Sequence, residues 1–364
     1  MKRLVLLGAG HAHLHVLREF ARRPPPDARI TLVSPHARTL YSGMVPGFVA
    51  GHYRLDDCAI PIAPLIEGSP LQWRRTEALA IDADARRVRL ADGESIGYDA
   101  LSVDTGATMS RAAIAGSAEH GLFVRPLERF VALWQALLRC AEQRYVCVVV
   151  VGGGAAGFEL ALAARHALAG RAHVSLVTGG VPLLASHARA ARARAQRTLA
   201  RRGVLVFDAA CTEVRATQVV LEGGLRLACD AALLAIGAAA PDWLAGSGLA
   251  LDGAGFVATR PTLQSASHPE VFAAGDVAAR ADAPRPRSGV YAVRAGPPLA
   301  RNLRRWLADE ALAPWTPQSR SLNLLSCGAR EAIACWGPFA LQGRWAWWWK
   351  DRIDRGFVAG YRRR

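Results

Sequence analysis

The chain is nearly devoid of lysine. Lys2 and Lys350 are the only two, so a formal charge of +15 rests on arginine. Such an excess calls for anionic partners, dinucleotide phosphates first and an anionic membrane surface second. Nucleic acid is not expected, because no nucleic-acid-binding motif accompanies the charge. Paired cysteines are also missing. Cys58, Cys140, Cys147, Cys211, Cys229, Cys327 and Cys335 form neither a C-x-x-C pair nor metal-type spacing. That argues against a local redox pair and suits reduced thiols in a cytoplasmic protein. No stretch supplies the ~18 to 20 uncharged apolar residues of a spanning helix, since the best candidate, from Val146, stops at Glu159. Lys2-Arg3 and the apolar run after it imitate a secretion leader, but Gly8, Gly10 and the histidines break the run. A first strand is expected there instead. The expected location is cytoplasmic, with a peripheral position at the inner face of the cytoplasmic membrane open.

With 364 residues, 51% of them hydrophobic, the chain is long enough for about two or three well-buried domains. Leu4 to Arg18, LVLLGAGHAHLHVLR, reads as a strand, a tight turn and a helix. Gly8 and Gly10 let the backbone approach a pyrophosphate, and the helix opening at His11 offers free N–H groups and a favourable dipole. The usual third glycine is His13. Val146 to Ala164 repeats the pattern in full as Gly152-x-Gly154-x-x-Gly157, with Ala155 inside it and Glu159 following. Two copies predict two dinucleotide folds.

Further strand ends continue the pattern. Ala28 to Ser34 is a second strand whose last residue stands where an acid usually accepts from ribose hydroxyls. Val174 to Val177 ends at Thr178-Gly179-Gly180, again without an acid. A carboxylate there favours NAD and a nearby arginine favours NADP. Arg189, Arg192 and Arg194, on a basic helix from Ala188 to Arg202, leave NADH and NADPH both open. Tyr41 to Tyr53 reads as a close-approach loop and short helix, and Trp73 to Asp104 as a β-meander returning to a strand that ends at Asp104-Thr105-Gly106. A helix is expected from Leu127 to Glu142, and the strand LLAIGA closes at Gly237. Pro269 to Val277 ends in Gly275-Asp276, where a carboxylate can accept from a ribityl hydroxyl. Ser288 to Trp306 is expected to hold a helix, interrupted at Pro297-Pro298, whose positive end points at a flavin. His11, His13 and His15 imitate a metal triplet, but residues two apart face different sides of a helix, so no metal is expected.

The tail differs in kind. After Pro314, SLNLLSCGAREAIACWG reads as two strands, and Trp345 to Arg364 as an amphipathic helix. Trp349, Ile353, Phe357 and Tyr361 form one stripe of it, with Lys350, Arg352, Arg355 and Arg362 to Arg364 elsewhere. A membrane interface suits such a helix; packing on the flavin domain or on a second copy suits it equally.

The ordered set Gly8-x-Gly10, Asp104-Thr105-Gly106, Gly152-x-Gly154-x-x-Gly157-x-Glu159, Ile236-Gly237 and Gly275-Asp276 resembles the pyridine nucleotide-disulfide oxidoreductase superfamily. Tyr41-Ser42-Gly43-Met44-Val45-Pro46-Gly47 and Trp349 to Arg355 look like the branch of type II NADH:quinone dehydrogenases, members of which also occur fused to selenophosphate synthetase. The resemblance implies an α/β chain of two Rossmann-like domains, the second inserted in the first, plus a small C-terminal α+β region. The implied divisions are 1–110 and 241–312 for FAD, 111–240 for NAD(P), and 313–364. FAD would be held by Gly8, Gly10, His11, Ser34, Tyr41, Ser42, Gly43, Pro46, Ala78, Thr105, Gly106, Gly275, Asp276, Gly289, Val290 and Tyr291. NADH or NADPH would be held by Gly152, Gly154, Ala155, Gly157, Glu159, Thr178, Ile236 and Gly237. The implied activity is hydride transfer from NAD(P)H to the flavin and delivery of two electrons to an acceptor, a quinone first, with no side chain doing the chemistry. A soluble reductase of selenium metabolism and a non-enzymatic flavin-binding interaction protein are the alternatives.

Overall fold

A computed structural model describes residues 1–362. Arg363 and Arg364, expected on the terminal helix, lie outside the described residues. Lys2–Leu7 is a strand flanked on both sides, with Leu4 to Leu7 buried. A continuous aliphatic run belongs in such a place because both faces of a parallel sheet are covered. Its sheet is parallel throughout, in the order Val271–Ala273, Ala100–Val103, Lys2–Leu7, Ala28–Val33, Gln72–Arg74. A second parallel sheet runs Gly121–Phe123, Ala231–Leu234, Val146–Val151, Ala172–Val177, Leu205–Phe207. The β-branched Val146–Val151 sits at its centre, where such side chains pack best. The whole second sheet falls, in chain order, between strands of the first. The two connecting segments run side by side, Thr108 and Ala239 exchanging backbone hydrogen bonds of 2.9 Å in both directions.

Each sheet carries its own antiparallel meander. One is Ala78–Asp82, Arg87–Leu90 and Ser95–Gly97; the other is Cys211–Val214, Gln218–Leu221 and Arg226–Ala228. The C-terminal sheet has three strands where the sequence suggested two: Asn323–Ser326, Ala332–Trp336 and Phe339–Gly343. In the third, Phe339 and Leu341 face outward and small Ala340 inward. That inverts the usual apolar-in alternation and hides the strand from a pattern reading.

Helix Gly289–Leu307 passes through Pro297 and Pro298 without the expected interruption. Pro297 is exposed and Pro298 half-exposed, so the carbonyls that lose their donors lie toward water. The opposite face, Ala292, Ala295, Gly296, Leu299 and Leu303, is buried. It packs on the first helix, His11–Arg22, so closely that a Cβ at Gly296 would stand 2.7 Å from that of His15. Tertiary packing on one side outweighs two missing hydrogen bonds on the other.

The terminal helix, Arg344–Arg362, also departs from expectation. Its predicted stripe divides along its length: Trp349 and Ile353 are exposed, whereas Tyr361 is buried and Phe357 packs on the core of the first sheet. The buried face holds Ala346, Trp347, Asp354, Val358 and Tyr361. Arg18 spans both elements, its guanidinium 4.5 Å from the Tyr361 ring centroid and donating to the Gly360 carbonyl at 3.1 Å. The helix is therefore part of the core at its C-terminal half, which supplies the ordered partner that Gly356 and Gly360 require. Tyr361→Ala should cost about 3 kcal/mol, as aromatic truncations in cores do. Trp348→Ala, on the exposed side, should stay within about 0.5 kcal/mol. Denaturant unfolding checks both; equal effects would contradict this division of the helix.

Candidate active site

The sequence-predicted residues gather at the C-terminal ends of the two parallel sheets, the edge where open α/β sheets place their ligands. Gly8 follows the central strand of the first with φ +82°, and a side chain there or at Gly10 would collide with Asp104. His13 replaces the third glycine and is fully buried. Its Nδ1 donates to the Gly8 carbonyl at 2.6 Å, so its Nε2 accepts from the Ser102 hydroxyl at 2.7 Å. Burial holds this imidazole neutral, pushing its pKa down to about 4. The ring thus ties the glycine turn to the neighbouring strand, a role the bare motif did not reveal.

Asp104 is the larger surprise. Its carboxylate accepts from the His13 N–H at 2.8 Å and from that of Ala12, at the N-terminus of the first helix. It stands between Gly10 and Gly275, either of which would strike it if given a Cβ. Burial, with a smaller push from Asp276, raises its pKa to about 7 against the two backbone donors. Thr105 and Gly106, at φ +76°, follow it into the open. Ser34 is buried at the end of the second strand, its backbone engaged by Arg74 and by the Trp73 indole at 3.0 Å. Ala78 opens the meander beyond.

Gly275-Asp276 lies after Val271–Ala273, and Asp276 pairs with Arg125 at 2.9 Å. Sequence reading missed Arg125; lying in a connecting segment, it carries no motif. Gly289, Val290 and Tyr291 form the first turn of the long helix, and a Cβ at Gly289 would sit 3.4 Å from the Ser42 hydroxyl. The Tyr41–Pro46 segment therefore faces that helix end. A cavity of about 310 Å³ adjoins Gly275 and Asp276, lined also by Arg287, Ser288, Tyr291 and Trp315. Its size is at the lower end for ligand pockets. His11 lies between these parts, 5.4 Å from the Tyr41 ring and 6.1 Å from Phe357. Burial pushes its pKa down to about 4, and its buried Nε2 has no protein partner among the described residues. An orphaned imidazole nitrogen and a cradle that admits no Cβ fit an extended polar ligand such as a dinucleotide.

Behind Tyr41 is a charged group that sequence reading did not assemble. Lys350 donates to the Gly43 carbonyl and to Asp354, each at 2.7 Å. Burial opposes its charge, yet Asp354 and then Glu159 raise its pKa overall. Tyr41 bonds to Asp354, and burial together with that carboxylate pushes the phenol upward. Glu159 accepts from the Ser326 N–H at 2.8 Å, and burial raises it to about 7 against the pull of Lys350. It faces the C-terminal sheet, off the turn that precedes it.

The second glycine turn is tighter. Gly152 has φ +129°, and a side chain at Gly157 would collide with the Gly152 carbonyl. Ala235 to Gly237 leave the strand at Leu234 and run alongside. Helix Ala155–Ala167 begins here with no side-chain cap and no acid in its first turn, so its N–H groups fit a pyrophosphate. Thr178 is buried next to Gly153 and donates to Asp208 at 2.7 Å. All seven cysteines are free thiols. Burial pushes Cys58 up to about 12 and Cys327 further, so neither is poised as a thiolate. Among the described residues, no group of three or more metal-ligating side chains converges.

Two parallel sheets in one chain, each with a glycine turn after its central strand, define a two-dinucleotide fold. Residues 2–296 match the pyridine nucleotide-disulphide oxidoreductase family, and the chain belongs to it. It is 27% identical over 296 residues to a demethylphylloquinone reductase of Synechocystis, covering 77% of this chain and 73% of that one. An NADH dehydrogenase-like protein of Mycobacterium tuberculosis is 29% identical over 300 residues, with the same coverage. The solved sulfide:quinone oxidoreductase of Aquifex aeolicus superposes with a TM-score of 0.84 over 100% of this chain and 92% of its own, at 18% identity. NDH2 of Plasmodium falciparum gives 0.83 over 99% and 97%, at 12%. At such identities these two likenesses concern the fold alone.

Asp104 makes a testable contribution. The folded chain keeps a proton there that the unfolded chain has lost, so the stability it adds is full below the ordinary value of 3.8 and disappears as pH rises through about 7. Asp104→Asn, measured without flavin, should therefore raise the melting temperature relative to wild type by an amount that grows from about pH 5 to about pH 8. A difference independent of pH would show that Asp104 titrates normally.

Proposed function

We propose that this chain oxidises NAD(P)H and passes two electrons to a quinone, using FAD held at the first sheet. The observation that carries the reading is the pair of glycine turns on two separate parallel sheets within the matched span of residues 2–296. The likeness to a quinone reductase and an NADH dehydrogenase-like protein supports the choice of acceptor.

FAD, when bound, supplies the hydride acceptor and the two-electron donor. The chain's part is positioning. Gly8, Gly10, Thr105 and Gly106 leave room for the pyrophosphate, the His11 N–H remains beside those taken by Asp104, and Ser34 and Ala78 border the adenosine end. Asp276, paired here with Arg125, would accept from the ribityl hydroxyls. Ser42, Gly43, Pro46 and the turn Gly289, Val290, Tyr291 enclose the ring end, where the helix dipole favours negative charge. On the second sheet, the first turn at Gly154, Ala155 and Gly157 receives the nucleotide pyrophosphate, with Thr178, Ile236 and Gly237 at its margins. Quinone reduction consumes two protons, and Lys350 and Tyr41 hold exchangeable ones beside Gly43, with Glu159 within electrostatic reach of Lys350.

The outer face of the C-terminal region supports a membrane location for the acceptor. Trp336, Phe339, Leu341, Trp345, Trp348, Trp349 and Ile353 are all large apolar residues left exposed there, with Arg344 and Arg352 also exposed. Indole rings and cations together suit the headgroup layer of an anionic bilayer. Among the described residues no helix is long and apolar enough to cross a membrane; the exposed indoles and cations support a peripheral position, at the inner face of the cytoplasmic membrane.

The purified protein should be yellow with FAD, and NADH or NADPH should bleach it without air. Absence of a flavin spectrum that FAD cannot restore would sink the reading. Trp345, Trp348 and Trp349 changed together to alanine should keep the flavin and reduce water-soluble quinones normally, yet lose sedimentation with anionic liposomes and activity toward long-chain quinones. If wild type ignores such liposomes at low salt and runs as a dimer, the face joins two copies instead. Replacing Cys58 and Cys327 with serine should leave dye reduction within a few-fold; a loss of several orders of magnitude with flavin still bound would restore thiol chemistry.

A further inference from the structure

The second strand of the inserted sheet ends without the acid that usually meets the adenosine ribose, and an acid reaches that place from the next strand. Leu205–Phe207 pairs in parallel with Ala172–Val177 in the register Ser175 to Leu205, Leu176 to Val206 and Val177 to Phe207. Thr178 and Asp208 therefore leave the sheet at the same level. The backbone continues the pairing, the Thr178 N–H donating to Phe207 at 3.0 Å and that of Gly179 to Ala209 at 3.1 Å. The Thr178 hydroxyl then donates to one Asp208 carboxylate oxygen at 2.7 Å. On its other side Thr178 touches the glycine turn, where a Cβ at Gly153 would lie 2.9 Å from its own. Turn, threonine and carboxylate thus form a continuous row along the sheet edge, with Asp208 exposed at its end.

We infer that Asp208 selects NADH over NADPH. The inference rests on the hydride-donor reading above. A ribose 2′-hydroxyl can donate to the carboxylate's second oxygen, whereas a 2′-phosphate would place about −1.5 to −2 charges against it. Of Arg189, Arg192 and Arg194, the arginines that leave NADPH open, Arg194 is turned onto its own helix and donates to the Ala190 carbonyl at 3.2 Å. Farther along the same helix, Arg201 and its neighbour Arg202 pair with Glu331. Among the described residues, no ion pair joins an arginine to Asp208. Thr178 is a positioning residue: its hydroxyl holds the carboxylate to the sheet edge.

Anaerobic flavin reduction by NADH and by NADPH tests this without any acceptor. Wild type should prefer NADH by roughly tenfold or more in rate over dissociation constant, and Asp208→Asn should reduce that ratio by roughly tenfold, chiefly by gaining NADPH. Thr178→Val should shift the ratio the same way through nucleotide affinity, with the limiting bleaching rate unchanged, and Thr178→Ser should restore it. An unchanged flavin spectrum together with an unchanged unfolding transition shows that the variants are folded. A wild-type preference for NADPH, or a ratio that Asp208→Asn leaves alone, overturns the inference while the hydride-donor reading stands. Failure of both nucleotides to bleach the flavin overturns the two together.

Discussion

A single buried ammonium connects the parts of this molecule. Lys350 comes from the terminal helix, Gly43 from the loop behind the first sheet, and Glu159 from the first helix of the second sheet. Taking such charges out of water costs several kcal/mol per ion unless each is paired. The arrangement is therefore all or nothing: Asp354 and Glu159 hold the charge on Lys350, and the ammonium in turn pulls on both carboxyls. Around it, Tyr53 donates to Asp351 and Arg18 to Gly360, fastening the same helix to two other stretches of the first domain's surface. What a helical-wheel reading presents as a detachable amphipathic tail is the element that closes the core.

That connection also accounts for how one helix can serve two environments. Its C-terminal half, together with Ala346 and Trp347, is committed to protein, so the indoles of Trp345, Trp348 and Trp349 and the outward side chains of the adjacent strand are held in fixed positions on the surface. An apolar face on a rigid support loses little conformational entropy when it meets another surface. The partner proposed for it, a lipid headgroup layer, asks for that combination of rings and nearby cations.

The two glycine turns show how one motif can be set to different electrostatic states. At the second, the helix N-terminus is open and uncapped. At the first, Asp104 already occupies two of the N–H groups, and its raised pKa of about 7 divides it between neutral and ionised forms at ordinary pH. A neutral acid there tolerates a nearby phosphate, while an ionised one would repel it. His13, buried and neutral, braces the same turn from within. These two residues replace a plain phosphate cradle by one whose charge depends on burial.

Much of the architecture was legible in the chain. Continuous aliphatic runs ending in glycine predict strands of a doubly covered parallel sheet, and the two Gly-x-Gly turns, the Asp104 and Gly275 strand ends and the first meander all stand where local pattern put them. Those features depend on short-range constraints, namely which φ values a glycine permits and how many apolar neighbours a central strand needs. The continuity of the helix through Pro297 and Pro298, the third C-terminal strand, the salt bridge from Arg125 to Asp276, the Lys350 group and the approach of Asp208 to Thr178 were not legible. Each joins residues far apart in the chain, or depends on which side of an element is covered. By itself, then, the sequence determined two dinucleotide folds and their turns, because backbone sterics and apolar periodicity are local. Only the tertiary structure decided which charges are buried together and which indoles stay outside, because desolvation and ion pairing depend on what packs against a residue and not on its neighbours in sequence.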